Sequence, residues 1–386
     1  MPILPQKECT GCTACMQICP AKAITMNEDS EGFLRPGVNK EQCVECGQCE
    51  RYCPVSNLKK MASASKCGVY AAKVKDDQIH KRSQSGGVFY ILAEKVLSQG
   101  GTVYGAALGE HFETEHIRVT TVEQLQRLQG VKYVQSRLKS VFSLVGKDLT
   151  AGVSVLFSGT PCQVAGIQAY LAAKRINTEN LLTVDLVCYG VPSPGVFRAW
   201  INCLERANRS ALAEMQYRRT DANWGKGKEC YRFCNGKVLE GDYFNRWYFG
   251  NLIIRQSCEK CQFCNTDRPG DLTLGDFWGI ENIMPDFFDD RGVSLVICNN
   301  RKARKALDRE ASQLDIRQCD INDAIASQPR LRNIAVKANK HRAAFWEKYH
   351  TKGMEYIAIE EGFIPASLGM RIKIKLKGLR RRKDRA

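Results

Sequence analysis

Nowhere does the sequence approach the ~18 consecutive apolar residues that a membrane-crossing helix needs, which excludes a helical integral membrane protein. Its N-terminus lacks the basic-then-apolar pattern of a secretory signal, so the chain is expected in the cytoplasm. In that reducing compartment nineteen cysteines do not make a disulfide framework and are expected to bind metal. Acidic residues are nearly missing from one end. Residues 371–386 hold nine Lys or Arg against one Asp, half of the formal charge of +16. The basic balance is therefore only half a property of the folded part. That tail suits a solvated terminus or peripheral contact with an anionic membrane face, where each basic residue contributes on the order of 1 kcal/mol. Its charges would also bind nucleic acid nonspecifically, and no specific nucleic-acid partner is expected. The remaining composition is ordinary. With 386 residues, 44% of them apolar and 25% charged, the chain has room for two or three globular domains.

The cysteines at the N-terminal end fall in a repeat. Cys9-x2-Cys12-x2-Cys15-x3-Cys19-Pro20 recurs as Cys43-x2-Cys46-x2-Cys49-x3-Cys53-Pro54. This is the run of bacterial two-cluster ferredoxins, in which the fourth cysteine of each run ligates the other cluster. It assigns Cys9, Cys12, Cys15 and Cys53 to one [4Fe–4S] cluster, and Cys43, Cys46, Cys49 and Cys19 to a second. Zinc also takes four thiolates, but its ribbons do not use this spacing.

A second organising stretch lies at 153–194. The apolar run Val153–Phe157 has strand length and composition, and it ends in Ser158-Gly159-Thr160-Pro161-Cys162. Thr160 is a good N-cap and Pro161 a good first helical residue, so a helix is expected to about Ala173. Leu181–Val187 reads as the next strand, followed by Cys188 and by Ser193-Pro194, again a cap with a first-turn proline. Strand, helix, strand is a βαβ unit with parallel strands. Cys162 and Cys188 then emerge at one sheet edge, where α/β folds bind ligands, beside helix N-termini that favour thiolate. They look like half of a metal site. Cys258-x2-Cys261 offers the other half, with Cys264 in reserve. A redox dithiol of thioredoxin type would leave Cys162 and Cys188 unexplained.

Other candidates are weaker. Ser85-Gly86-Gly87 precedes an amphipathic helix and suits either a phosphate-binding turn or a plain glycine turn with a serine cap. Lys132-Tyr133-Val134-Gln135-Ser136 suits a cofactor contact or a surface strand. Asp276, within Gly275-Asp276-Phe277-Trp278-Gly279, is either a buried acceptor or a functional carboxylate. Alternation around Cys230 and Cys234, with Asn235-Gly236, predicts a hairpin, and strand spacing separates these two cysteines too far to share a metal. Cys67, Cys203, Trp346 and Tyr349 are expected in the core.

Five of these motifs, in order, carry a resemblance: Ser85-Gly86-Gly87, Lys132 to Ser136, Phe157 to Gln163, Asp185 to Pro194, and Gly275 to Gly279. Over about residues 67–350 the chain resembles the family of beta subunits of coenzyme F420-reducing hydrogenases and dehydrogenases, with a two-cluster ferredoxin fused in front. The resemblance implies FAD beside a [4Fe–4S] cluster in the large domain. It implies that Ser85, Gly86, Gly87, Lys132 and Tyr133 contact the flavin, and Gln135, Ser136, Gly159 and Thr160 join them as cofactor candidates. Three departures stand out: Tyr189 where the family usually has His, Val131 where a Ser usually precedes Lys-Tyr, and the additional Cys264.

The expected fold is α/β, mixed α+β overall. A ferredoxin-like domain at 1–60 and a linker at 61–66 precede a larger α/β domain at 67–350 with a mainly parallel sheet. An extension at 351–386 ends in the basic tail. The expected function is an oxidoreductase in which electrons from a ferredoxin or another electron-transfer protein pass through three [4Fe–4S] clusters. FAD then acts on a small organic substrate or a deazaflavin, with Asp276 as proton donor or orienting group. The alternatives are a redox-sensing nucleic-acid or membrane binder and a non-catalytic electron-transfer subunit.

Overall fold

The computed structural model describes residues 4, 6–57, 66–219, 224–225 and 227–365. The expected linker at 61–66, save Lys66, and the basic tail at 371–386 lie outside them. In the N-terminal module β1 (Ile24–Glu28) and β2 (Leu34–Val38) pair antiparallel, and Pro36 is tolerated because a two-stranded sheet has only edge strands. The rest of the chain supplies β3 (Val69–Val74), β4 (Thr102–Leu108), β5 (Thr114–Val119), β6 (Val155–Gly159), β7 (Leu181–Leu186), β8 (Leu212–Gln216), β9 (Glu229–Phe233), β10 (Val238–Gly241), β11 (Leu272–Asp276), β12 (Ser294–Cys298) and β13 (Leu314–Gln318).

Eight of these form one sheet in the order β13-β3-β12-β11-β7-β6-β4-β5. The expected α/β class holds. The parallel ladder occupies the centre, where β4, β6, β7 and β11 run together, and antiparallel strands extend the sheet on both sides. β6 is buried at every position because helices cover both faces. Leu156 packs with Ile91 and Leu92 on one face, while Val155 and Phe157 meet Phe142 and Ile167 on the other. The helix after β6 runs from Pro161 to Lys174, closed at its start by a capping box between Thr160 and Gln163. The expected hairpin is β9 and β10, joined to β8 in a separate three-stranded sheet.

The ferredoxin-like module is packed into this body. Cys12, Ala14 and Ile18 share a core with Phe142, Phe157, Val164 and Ile167. Gly32 has φ of +77°, and a Cβ there would stand 2.6 Å from the Gly195 Cα, so backbone meets backbone at this contact. Arg137 and Arg198 both reach Glu28, and Arg342 reaches Glu31. The expected boundary at 350 falls inside a helix, Arg342–Glu360, kinked at Gly353. Beyond the kink Met354, Ile357 and Ala358 pack in the same core as Trp200 and Trp247. No helix among the described residues is long and apolar enough to cross a membrane.

Candidate cluster and cofactor site

Both cysteine loops of the module bend alike. The second residue after the leading cysteine has positive φ in each (Gly11 68°, Glu45 50°), and so does the fourth (Thr13 63°, Gly47 66°). These left-handed steps turn backbone amides toward sulfur, as where Gly11 N–H donates to Cys9 Sγ at 3.4 Å. The thiols gather in the two crossed sets. Cys12 and Cys15 both interact with Cys9 and Cys53, and those four line one small cavity. Cys19, Cys43, Cys46 and Cys49 line another, of about 150 Å³. Burial, then the neighbouring thiols, pushes the Cys15 pKa up to about 12.

The third group is assembled from three segments. Cys162 follows the first residue of the helix after β6, and Cys188 lies two residues past β7. Cys258 sits in a short 3-10 turn at Gln256–Lys260, and Cys261 just after it. Each of the four interacts with others of the group: Cys188 with Cys258, Cys162 and Cys261, and Cys258 with Cys261 and Cys162. The expected stabilisation of thiolate by the helix N-terminus does not prevail at Cys162. Burial outweighs it, and the pKa is raised despite the Thr160 hydroxyl 3.2 Å away. Burial pushes Cys258 up to about 12. Thiols buried in this way lose their protons to a metal group when one is bound, whose positive charge replaces the missing solvent. Among the described residues no three Cys, His, Asp or Glu side chains close tightly enough for a single ion. Four thiolates are the ligand set that a [4Fe–4S] cube takes.

Cys264 belongs to the same place. A hydrogen bond between Cys261 and Cys264 raises the first thiol and lowers the second, and Cys264 also lies close enough to Cys188 to feel its charge. Five thiols are thus present where four are needed. Arg268 holds this loop to the sheet, a role its sequence position does not reveal. Its guanidinium donates to Asp185 Oδ1 at 3.0 and 2.6 Å, to Phe263 O at 2.7 Å and to Leu186 O at 2.7 Å, with both side chains of the pair buried.

The flavin candidates fall into two groups. Gly159, Thr160, Gln135 and Ser136 lie along the edge that carries Cys162. Ser136 is engaged on both sides, since its hydroxyl meets His116 Nδ1 at 2.8 Å and accepts from Gln163 Nε2 at 2.9 Å. His116 Nε2 lies 2.9 Å from the Ser158 carbonyl, so that nitrogen carries the proton. Burial lowers the His116 pKa to about 4. Gln135 Nε2 donates to Thr10 O at 2.7 Å, tying the edge to the first thiol set.

Ser85 to Gly87, Lys132 and Tyr133 form the second group, joined through Gln84. Gln84 accepts from Val131 N–H at 3.0 Å, and Arg218 pairs with Asp276 at 3.1 Å while donating to Gln84 O. Gly86 is obligatory for packing, because a Cβ there would lie 2.1 Å from Ala72 O. The Lys132 ammonium donates to Arg127 O and Gln129 O, at 3.2 and 2.6 Å, and desolvation lowers its pKa to about 7. Tyr133 packs on Tyr217, Tyr248 and Phe249, and Tyr248 in turn senses Cys188 and Cys258. Tyr133 therefore bridges the Lys132–Asp276 side to the third thiol group. Tyr189 joins that aromatic wall, with the Arg330 guanidinium 4.6 Å over its ring. Beside Asp276, Trp224 and Trp278 stack at 4.7 Å, a pair the sequence pattern does not single out.

Family models match three stretches of the chain. The C-terminal part of the coenzyme F420 hydrogenase/dehydrogenase beta subunit matches residues 152–323, its N-terminal part matches 69–143, and a 4Fe-4S dicluster domain matches 8–57. The chain is 26% identical over 202 residues to one of the subunits of the F(420)H(2) dehydrogenase of Methanosarcina mazei, covering 48% of this chain and 54% of that one. It thus spans about half the length of that relative. An uncharacterized protein of Methanocaldococcus jannaschii is 21% identical over 330 residues, covering 76% of this chain and 84% of its own. The PorD subunit of the pyruvate synthase of Thermotoga maritima is 38% identical over 53 residues, 14% of this chain and 50% of that one. A chain of the F420-reducing [NiFe] hydrogenase complex from Methanosarcina barkeri superposes with a TM-score of 0.48 at 17% identity, over 70% of this chain and 90% of that one.

Proposed function

Because the chain belongs to the coenzyme F420 hydrogenase/dehydrogenase family, as a beta subunit, and carries a 4Fe-4S dicluster module, we propose that it is an iron–sulfur flavoprotein oxidoreductase fed by an external electron carrier. In this reading Cys43, Cys46, Cys49 and Cys19 hold the outermost cluster. Cys46 is exposed, and Val44 beside it is 66% exposed, so an electron-transfer protein meets this end. Cys9, Cys12, Cys15 and Cys53 hold the next cluster, and Cys162, Cys188, Cys258 and Cys261 hold the third. Such clusters supply one-electron transfer, and a flavin converts single electrons into two-electron chemistry on an organic substrate or a deazaflavin.

The residues do the rest. Lys132, free of any carboxylate partner among the described residues, and the Ser85–Gly87 turn suit an anionic part of FAD. Tyr133 and Tyr248 exclude water between that side and the third thiol group. Asp276, held by Arg218, serves as an orienting group rather than a proton donor, because its carboxylate is already committed to a guanidinium. The observation that carries the reading is the convergence of four thiols from three segments at the sheet edge, beside a ferredoxin-type thiol set.

An iron and flavin count on anaerobically purified protein tests it. Three cubane clusters require about 12 iron atoms, with one flavin, per chain. A count of about 8 iron and no flavin would reduce the chain to a ferredoxin fused to a domain of another kind. The second reading, an electron-transfer subunit without turnover of its own, draws on the Methanosarcina mazei relative, which is by its name one part of a larger dehydrogenase. Stable co-purification with a catalytic partner, together with no turnover alone, would favour it.

A further inference from the structure

Arg255 is completely buried. Its guanidinium donates to three neutral acceptors: Gln135 Oε1 at 3.0 Å, Cys9 O at 2.7 Å and Leu34 O at 2.9 Å. Two of those belong to the ferredoxin-like module and one to the large domain. The Phe33 ring covers it at 4.8 Å. A Cβ on Gly11 would stand 2.7 Å from Arg255 Nη2, so the first cysteine loop is wrapped directly onto this side chain. Arg255 makes no ion pair with a carboxylate among the described residues. A buried guanidinium without an anion is strongly unfavourable. The Arg255 backbone carbonyl accepts from Cys258 N–H at 2.9 Å, so the residue also abuts the third set, and the groups that favour its charge are Cys9, Cys258 and Cys162. Those thiols come from two different sets.

We propose that Arg255 is a positioning residue whose counter-ion is the negative charge of two loaded clusters at once, the one held by Cys9, Cys12, Cys15 and Cys53 and the one held by Cys162, Cys188, Cys258 and Cys261. The inference rests on the three-cluster reading above. A cube with four thiolate ligands carries net negative charge, and each added electron deepens it. A fixed cation in a dry seam stabilises the reduced state of whatever cluster it faces and raises that cluster's reduction potential. The cluster of Cys19, Cys43, Cys46 and Cys49 does not share in this. Arg255 thereby raises the two inner clusters relative to the outer one, a shift that favours electron flow from the exposed end inward. The same contact explains how the module is docked. Three backbone and side-chain acceptors are held by one cation whose burial is tolerable only with charged clusters on both sides.

Redox titration of the anaerobically reconstituted full-length protein, followed by EPR, tests this with Arg255→Gln, Arg255→Lys and Gln135→Glu. Arg255→Gln is expected to lower two of the three midpoint potentials and leave one in place, whereas Arg255→Lys, which keeps the charge but not the three-way fork, holds all three near wild type. Unmoved potentials in Arg255→Gln overturn the proposal. So do equal falls in the Gln and Lys variants, which would make Arg255 a hydrogen-bond strut only. If Arg255→Gln does not load its clusters, Gln135→Glu answers instead. It leaves the arginine in place and sets a carboxylate at the 3.0 Å contact, so the same two potentials must fall, and their failure to move overturns the proposal. The iron count separates the two levels. About 8 iron atoms in the wild type ends the three-cluster reading and this inference together, while about 12 with unmoved potentials ends the inference alone.

Discussion

The two N-terminal thiol sets and the third one use the same chemistry but are built differently. Each N-terminal set takes three of its cysteines from a single seven-residue loop, and the loop's left-handed residues fix the sulfur positions locally. The third set depends on two strand ends, one helix start and a separate loop, whose approach is decided by the whole sheet. Local sets tolerate damage elsewhere in the fold, whereas an assembled set is only as rigid as the contacts that bring its segments together. The Asp185–Arg268 pair is the strongest of those contacts, since both side chains are buried and the arginine spans the strand end and the cysteine loop.

Arg268→Met is therefore expected to break the comparison most sharply. Removing one partner of a buried, hydrogen-bonded ion pair costs about 3–5 kcal/mol. The outcome expected is loss of about four iron atoms per chain while the ferredoxin-type EPR signals persist. Loss of all iron, or retention of all of it, would show that the sets are not independent in this way. Next in size is the choice between the fourth and fifth thiols. Cys261→Ala is expected to remove the third cluster's signal, and Cys264→Ala to leave about 12 iron atoms with the spectrum changed only slightly. The reverse pattern would move the ligand to Cys264, which the shared hydrogen bond brings within reach.

His116 sharpens the comparison through pH, because it lies behind the edge that carries Cys162 and has no counterpart behind the N-terminal sets. Its folded pKa is lowered to about 4 from 6.5. The unfolded chain takes up the proton below 6.5 and the folded chain resists it, so this stability is fully present above 6.5 and is lost as pH falls toward 4. The loss amounts to about 2 kcal/mol by pH 5. His116→Gln is expected to flatten that slope in thermal unfolding between pH 7 and pH 5. An equal slope in both proteins would assign the acid sensitivity to other groups.

Much of this is legible in the sequence, for local reasons. The Cys-x2-Cys-x2-Cys-x3-Cys-Pro spacing encodes its own geometry, and Thr160-Pro161 encodes a helix start that appears at the expected residue. The βαβ rule places Cys162 and Cys188 at one edge, and the structure brings Cys258 and Cys261 to them. The rest depends on tertiary approach. Nothing in the sequence around Arg255 or Arg268 marks them as buried, since arginine is ordinarily a surface residue. The packing of the module against Phe142 and Phe157, and the run of the last helix through residue 350, follow from interfaces that no local pattern records. Ser136 stands in the sequence as a cofactor candidate, and its partners His116 and Gln163 become visible only in the structure.

The smallest effect expected concerns the seam itself. Ser193 is buried, caps the helix Pro194–Asn208 by accepting from Val196 N–H at 3.0 Å, and donates to Glu31 O of the ferredoxin-like module. Ser193→Ala removes a cap worth about 1 kcal/mol and one bond across the seam. The seam has other support, from Arg342 on Glu31, from Arg137 and Arg198 on Glu28, and from the close approach of Gly32 to Gly195. The variant should therefore keep all its iron and lose about 1 kcal/mol in unfolding by denaturant. If instead the module became sensitive to protease while the large domain stayed folded, this one hydroxyl would carry the docking, and the module would behave as a separate domain rather than as part of a shared core.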